Sequence, residues 1–144
     1  METVYKGLPE AMAKAAARWW AGKIDGTCRH DNGDKSLTGL MSGYLADKLK
    51  EPPIPGALEK FEEILTNMLV HWDKPWRLDR LSCDYGPDMT MLKAAQEAGI
   101  SPHNFPWKTH MYFDHEKMEI VVSDGYRAPW KMIWKDGVYE EDSN

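Results

Sequence analysis

Along Trp107–Tyr126 apolar and polar side chains alternate. Trp107, Thr109, Met111 and Phe113 interleave with Lys108, His110 and Tyr112. After the polar stretch Asp114-His115-Glu116-Lys117, Met118, Ile120 and Val122 interleave with Glu119, Val121 and Ser123. Period-two alternation on both sides of a short polar break predicts a β-hairpin. The face carrying Trp107, Met111, Phe113, Met118, Ile120 and Val122 is large and apolar, so another layer must cover it.

Upstream the period lengthens to that of helices. Leu8, Met12, Ala15 and Trp19 follow a 4,3,4 spacing, which predicts a helix over about Leu8–Ala21 with Pro9 in its first turn and Gly22 as its stop. A second helix is predicted over about Ser36–Lys50. Leu37, Met41, Tyr44 and Lys48 form one stripe on it, and Leu40, Leu45 and Leu49 lie beside that stripe. Gly39 and Gly43, four apart, would let a helix or a ligand approach closely, although each helical glycine costs about 1 kcal/mol against alanine. Glu51-Pro52-Pro53-Ile54-Pro55 is a stiff break. Beyond it Leu58, Phe61, Leu65, Met68 and Trp72 define the clearest helical stripe, over about Gly56–Trp72, which Pro75 cannot continue.

Leu81, Cys83 and Tyr85 alternate with Arg80, Ser82 and Asp84, predicting a strand within Trp76–Tyr85. The turn Asp84–Asp88 leads to a short helix, about Pro87–Ala98, capped by Asp88 or its neighbour and stopped by Gly99. After the hairpin, Trp130–Trp134 reads as a third strand or a short irregular edge, Asp136-Gly137 as a turn, and residues 140–144 as a polar tail. The order of elements predicts one α+β domain: three N-terminal helices and a short fourth packed on a small, mainly antiparallel sheet with a C-terminal β-hairpin.

Composition narrows the class. At 144 residues the chain can build one core. Two cysteines, neither in a CxxC pair, suit a reducing cytosol better than a disulfide scaffold or a zinc site. No apolar run spans a bilayer and the first residues lack a signal-peptide pattern, so a cytoplasmic location is expected. A net charge of −5 argues against direct nucleic-acid binding. Seven tryptophans are many for this length, and since tryptophan is rarely fully buried, about two of them are expected at a working surface.

Three stretches could carry chemistry. His30-Asp31-Asn32-Gly33-Asp34 gathers an imidazole and carboxylates before a helix, a composition able to bind a ligand or divalent metal and equally ordinary as a cap. Asp84-Tyr85-Gly86-Pro87-Asp88 is a second acidic strand-to-helix loop. Were the two loops adjacent, His30, Asp31, Asp34, Asp84 and Asp88 would cluster. The third comprises the polar hairpin face and the segment C-terminal to the hairpin: Lys108, His110, Tyr112, Tyr126, Arg127 and Trp130. Aromatic rings beside cations suit a nucleotide or a protein interface, and an antiparallel sheet can also simply wet that face. There is no P-loop, GxGxxG, GxSxG or HExxH. No cofactor or metal is expected, and catalysis is less favoured than binding.

The stretches ARWW at 17–20, HDNGD at 30–34, DYGPDM at 84–89, AGI at 98–100, NFPWKT at 104–109 and GYRAPW at 125–130 give the chain a resemblance. Over roughly residues 10 to 130 it resembles a family of small proteins encoded by phages and prophages of Gram-positive gut bacteria. The resemblance implies a setting rather than a mechanism: accessory proteins that inhibit bacterial antiviral defence. From it and the aromatic and basic residues together, the leading expectation is a homo-oligomeric binding protein that sequesters a nucleotide-like immune signal. The alternatives are an inhibitor that binds a host defence effector or CRISPR nuclease directly, and a metal-dependent hydrolase of such a signal using His30, Asp31 and Asp34, with Asp84 as a further candidate.

Overall fold

The computed structural model describes residues 7–28, 30 and 33–139. The α+β class stands, with four helices in the expected order and one five-stranded antiparallel sheet. The tail at 140–144 lies outside the described residues.

Helix α1 spans Glu10–Lys23 and buries Met12, Trp20 and five alanines. Small side chains let a neighbouring helix come close, and α1 packs chiefly on α3, Ala57–Val70. The stripe on α1 rotates slightly from the expected one. Trp20 points fully inward, and Trp19 stands edge-on to it with ring centroids 5.1 Å apart. In α3, Phe61, Leu65 and Leu69 recur every four residues and are fully buried, each contributing about 1.5–3 kcal/mol of transfer free energy. Leu58, Met68 and Trp72 pack partly buried at the margin. Helix α4, Met89–Ala98, packs on α3. Asp88 caps it by accepting from Met91 N, and Gly99 ends it in the left-handed region at φ 77°.

The sheet is a meander in the order β1 (Arg80–Cys83), β2 (Thr109–Asp114), β3 (Glu119–Asp124), β4 (Trp130–Lys135) and β5 (Val138–Tyr139). Leu81 pairs with Met111, Met111 with Val122 and Phe113 with Ile120, so these apolar residues share the face turned to the helices. Asp114 closes the hairpin turn by accepting from Glu116 N and Lys117 N, both at 3.0 Å. A register shift at Ile120/Val121 lets the consecutive residues Ile133 and Trp134 both be buried. Tyr139 Oη donates to Ala15 O and ties the last strand to α1.

Two expectations need correcting. Only Arg80–Cys83 of the predicted Trp76–Tyr85 strand pairs as a strand, because Pro75 and the turn it begins keep residues 73–79 irregular. The apolar stripe on the second helix, α2 (Leu37–Lys48), does not join the core. Gly39 and Gly43 are the helix's buried residues.

Beneath α2 a buried asparagine holds three backbone segments together. Asn104, in the single 3-10 turn Pro102–Asn104, donates to Ile24 O at 3.1 Å and to Glu51 O at 2.6 Å, and accepts from Glu51 N at 2.8 Å. It joins the end of α1 to the proline break after α2. No helix among the described residues is long and apolar enough to cross a membrane.

Candidate functional site

Alternation on β1 and β2 sends Arg80, Ser82, His110 and Tyr112 to the face of the sheet away from the helices. The connection after α3 folds back alongside it. Trp72 Nε1 donates to Trp76 O at 2.8 Å, and the two rings meet edge-on at 6.5 Å. This bend sets Trp76 and Arg77 beside the outer face. An open groove of about 920 Å³ results, lined by Trp76, Arg77, Arg80, His110, Tyr112 and Trp130. Its size is in the range of small-molecule sites. Tyr112 pairs with Val121 and Trp130 with Ser123, two residues further along β3, so both rings lean across that strand with centroids 5.0 Å apart.

Charge in the groove tilts positive. Among the described residues Lys74, Arg77, Arg80 and His110 enter no ion pair and no side-chain hydrogen bond. Asp79 and Asp88 also line it. Asp88 is engaged elsewhere, accepting from Met91 N at 3.0 Å and Ser82 N at 2.9 Å; burial pushes its carboxyl above the usual range while these N–H groups pull it down. Of the seven tryptophans, Trp20 and Trp134 are buried, and Trp19, Trp72 and Trp107 are half-buried. Trp76 and Trp130, 60% and 51% exposed, both line this groove.

The remaining sequence candidates lie in a second arrangement. Lys108 Nζ sits 2.6 Å from Asp84 Oδ1 and 4.3 Å from the Tyr85 ring centroid, and the hydrogen bond to Asp84 raises its pKa. Tyr85 stands edge-on to Trp107 at 5.2 Å, and Trp107 edge-on to His30 at 5.1 Å. His30 and Tyr85, one from each acidic stretch, are therefore bridged by the Trp107 ring. His30 is buried, with Nδ1 2.8 Å from Asp47 Oδ1 and Nε2 2.9 Å from Phe105 O. Both ring nitrogens are thus engaged within the chain. Asp34 accepts from Ser36 N at 2.9 Å, and its bonding to Ser36 lowers its pKa. Tyr126 lies against Gly33, where a Cβ would come within 2.1 Å of the ring, and the Arg127 guanidinium stands 5.2 Å from that ring's centroid. Asp31 and Asn32 lie outside the described residues.

His110, Tyr112 and Trp130 are thus brought together in the groove, and Lys108, Tyr126 and Arg127 are not part of it. The carboxylates Asp84 and Asp88 face different partners, Lys108 and the start of α4. Among the described residues no three His, Cys, Asp or Glu side chains are placed to hold one metal ion. Trp76, Arg77 and Arg80 were not singled out from the sequence. The signal was present in Trp76-Arg77-Leu78-Asp79-Arg80, where an indole adjoins two guanidinium groups, and was obscured by reading the whole stretch as a strand.

Compared with protein-family models, curated proteins and solved structures, the chain matches none.

Proposed function

We propose that this chain is a non-enzymatic binding protein that holds a nucleotide-like ligand on the outer face of its sheet. The observation that carries this reading is the convergence of the two exposed tryptophans, Trp76 and Trp130, with Tyr112, Arg77 and Arg80 on one groove. A purine or pyrimidine stacks on such rings at about 1–3 kcal/mol per base, and a guanidinium forks onto phosphate oxygens. The resemblance to phage accessory proteins supplies the setting: capture of a nucleotide immune signal so that it no longer reaches its effector.

The test is calorimetric titration of the purified chain with mononucleotides, cyclic mononucleotides and cyclic dinucleotides. A member of that panel should bind, and Trp130→Ala and Arg77→Ala should each weaken binding at least about tenfold without lowering the melting temperature. Binding should also weaken with salt, since part of it is ionic. Lys108→Met lies outside the groove and should leave affinity unchanged. Failure of the whole panel at millimolar ligand, or binding untouched by both groove substitutions, would refute the proposal.

A further inference from the structure

Helix α2 is tied to the segment that precedes it yet left uncovered. Ser36 Oγ caps it by accepting from Gly39 N at 3.2 Å, and near its end Asp47 accepts from His30 N at 3.0 Å. The glycine face is seated on the chain's own backbone. A Cβ at Gly43 would lie 2.4 Å from His30 O, and one at Gly39 2.4 Å from Asp34 Cβ. Seating the glycines turns every large side chain outward. Leu37, Leu40, Met41, Tyr44, Leu45 and Leu49 are each 52–74% exposed.

Magnitudes decide what this means. At ordinary whole-residue areas those six expose about 700 Å², of which roughly 500–550 Å² is side chain; that is at the upper end of the roughly 300–600 Å² of the largest patch on a typical monomer and approaches the roughly 800 Å² that each partner contributes to a standard interface. Lys48 is the charged side chain that the stripe itself carries, and the neighbouring charges turn away from it. Asp47 turns to His30, Lys50 donates inward to Cys28 O, and the Lys48 ammonium rests over the Tyr44 ring at 5.2 Å. A charge-depleted, aliphatic surface is the composition of homodimer interfaces rather than of transient ones. It also offers no charge pattern by which a different chain would be selected. An apolar patch of this size, turned outward by its own glycine contacts, needs cover whenever the protein exists, and a second copy is always present at equal concentration. A two-fold axis places each stripe on its own counterpart and so covers both at once.

We propose that two copies of this chain associate through α2, burying Leu37, Leu40, Met41, Tyr44, Leu45 and Leu49 of each against the other. The interface shares no residue with the outer groove, and the inference does not depend on what the groove binds.

Sedimentation velocity of the full chain over a dilution series tests it. The expected species is twice the 16.6 kDa chain mass. Leu40→Glu/Tyr44→Glu should raise the dissociation constant at least about 100-fold, since each carboxylate would have to be desolvated in the interface. Both side chains are solvent-facing in the single chain, so far-ultraviolet circular dichroism of the monomeric variant should match wild type. Met41→Lys is a second, milder probe with the same expected direction. Trp130→Ala should leave the dimer intact. A monomeric wild type at tens of micromolar, a dimer unaffected by the α2 substitutions, or a dimer abolished by Trp130→Ala would each overturn the proposal.

Discussion

Replacing Asn104 with alanine should open the segment from Ile24 to Glu51 while leaving the helix–sheet core formed. The side chain is fully buried and makes three hydrogen bonds, two donated and one accepted. Ile24 is itself fully buried, so its carbonyl would lose a partner that water cannot replace, at about 1–3 kcal/mol. Glu51 is exposed, and its N–H and C=O can be rehydrated, so those two bonds add only about 0.5–1 kcal/mol each. The expected loss is therefore about 2–5 kcal/mol. For a domain of this length that lowers the melting temperature by roughly 7–17 °C. Urea denaturation followed by circular dichroism gives the total. Hydrogen exchange read by mass spectrometry gives the location, with faster exchange across 24–51 and little change in β2 and β3. Asn104→Asp should be at least as damaging at neutral pH, because a carboxylate would replace both donors and face the carbonyls of Ile24 and Glu51. A loss below about 0.5 kcal/mol, or one spread evenly over the sheet, would show that this asparagine does not join the segments as argued.

Two glycines in helices should respond to alanine with opposite signs. Nothing lies within 4 Å of a Cβ at Gly22, so Gly22→Ala should stabilise by about 0.5–1 kcal/mol through helix propensity alone. Gly43→Ala meets the His30 carbonyl at 2.4 Å and should destabilise by about 1–3 kcal/mol, as read from chemical denaturation midpoints; equal shifts for the two would refute the seating of α2. Asp88→Ala removes the α4 cap and the acceptor for Ser82 N, at an expected cost of about 1–2 kcal/mol by the same measurement, and a neutral result would contradict the capping role. Burial pushes the Cys28 thiol up to about 11 from 9.0. Because the folded value is the higher one, its contribution to stability is present below pH 9 and is lost as pH rises through 11. Native protein at pH 8 should therefore alkylate with iodoacetamide far more slowly than protein in urea, and Cys28→Ser should flatten the alkaline loss of stability; equal alkylation rates would contradict the burial argument.

The fold was legible where pattern and burial coincide. The hairpin alternation placed Met111, Phe113, Ile120 and Val122 inside, and the α3 stripe placed Phe61 and Leu65 inside. Both are repeats of local geometry, so local sequence carries them. Trp19 and Trp20 show the limit of that reasoning. Adjacent indoles both fit an apolar stripe to within one residue, and the choice between them depends on α3, which the stripe does not contain. For α2 the pattern was visible and its meaning was not. An apolar stripe marks a surface that is covered, yet the period does not say whether the cover comes from the same chain. The glycine pair fitted equally an approach site for another helix or a ligand and a merely weak helix, whereas it seats the helix on His30 and Asp34. Asn104 left no trace in any period, because its three partners lie 53 and 80 positions away.

The candidate site divides in the same way. His110, Tyr112 and Trp130 belong to strands, and strand alternation alone puts them on the face away from the helices. Trp76 and Arg77 arrive there through an irregular loop, whose return is set by the Trp72 hydrogen bond to Trp76 O, the His115 Nε2 contact with Leu78 O at 2.6 Å and the Phe113 N bond to Asp79 O at 2.9 Å. The groove is thus half periodic structure and half loop, with the periodic half readable in advance. The topology then separates two tasks. Helices α1, α3 and α4 occupy the inner face of the sheet and leave the outer face open for a ligand. The proline break at 51–55 carries the chain away from α2 before α3 begins, so α2 stays outside the core with its apolar side turned outward. Were α2 to fold back over the groove to hide its leucines, the glycine contacts with His30 and Asp34 and the Asp47 bonds to His30 would have to break first. Those contacts keep the apolar stripe turned outward, where the proposed second copy would cover it while the groove stays accessible.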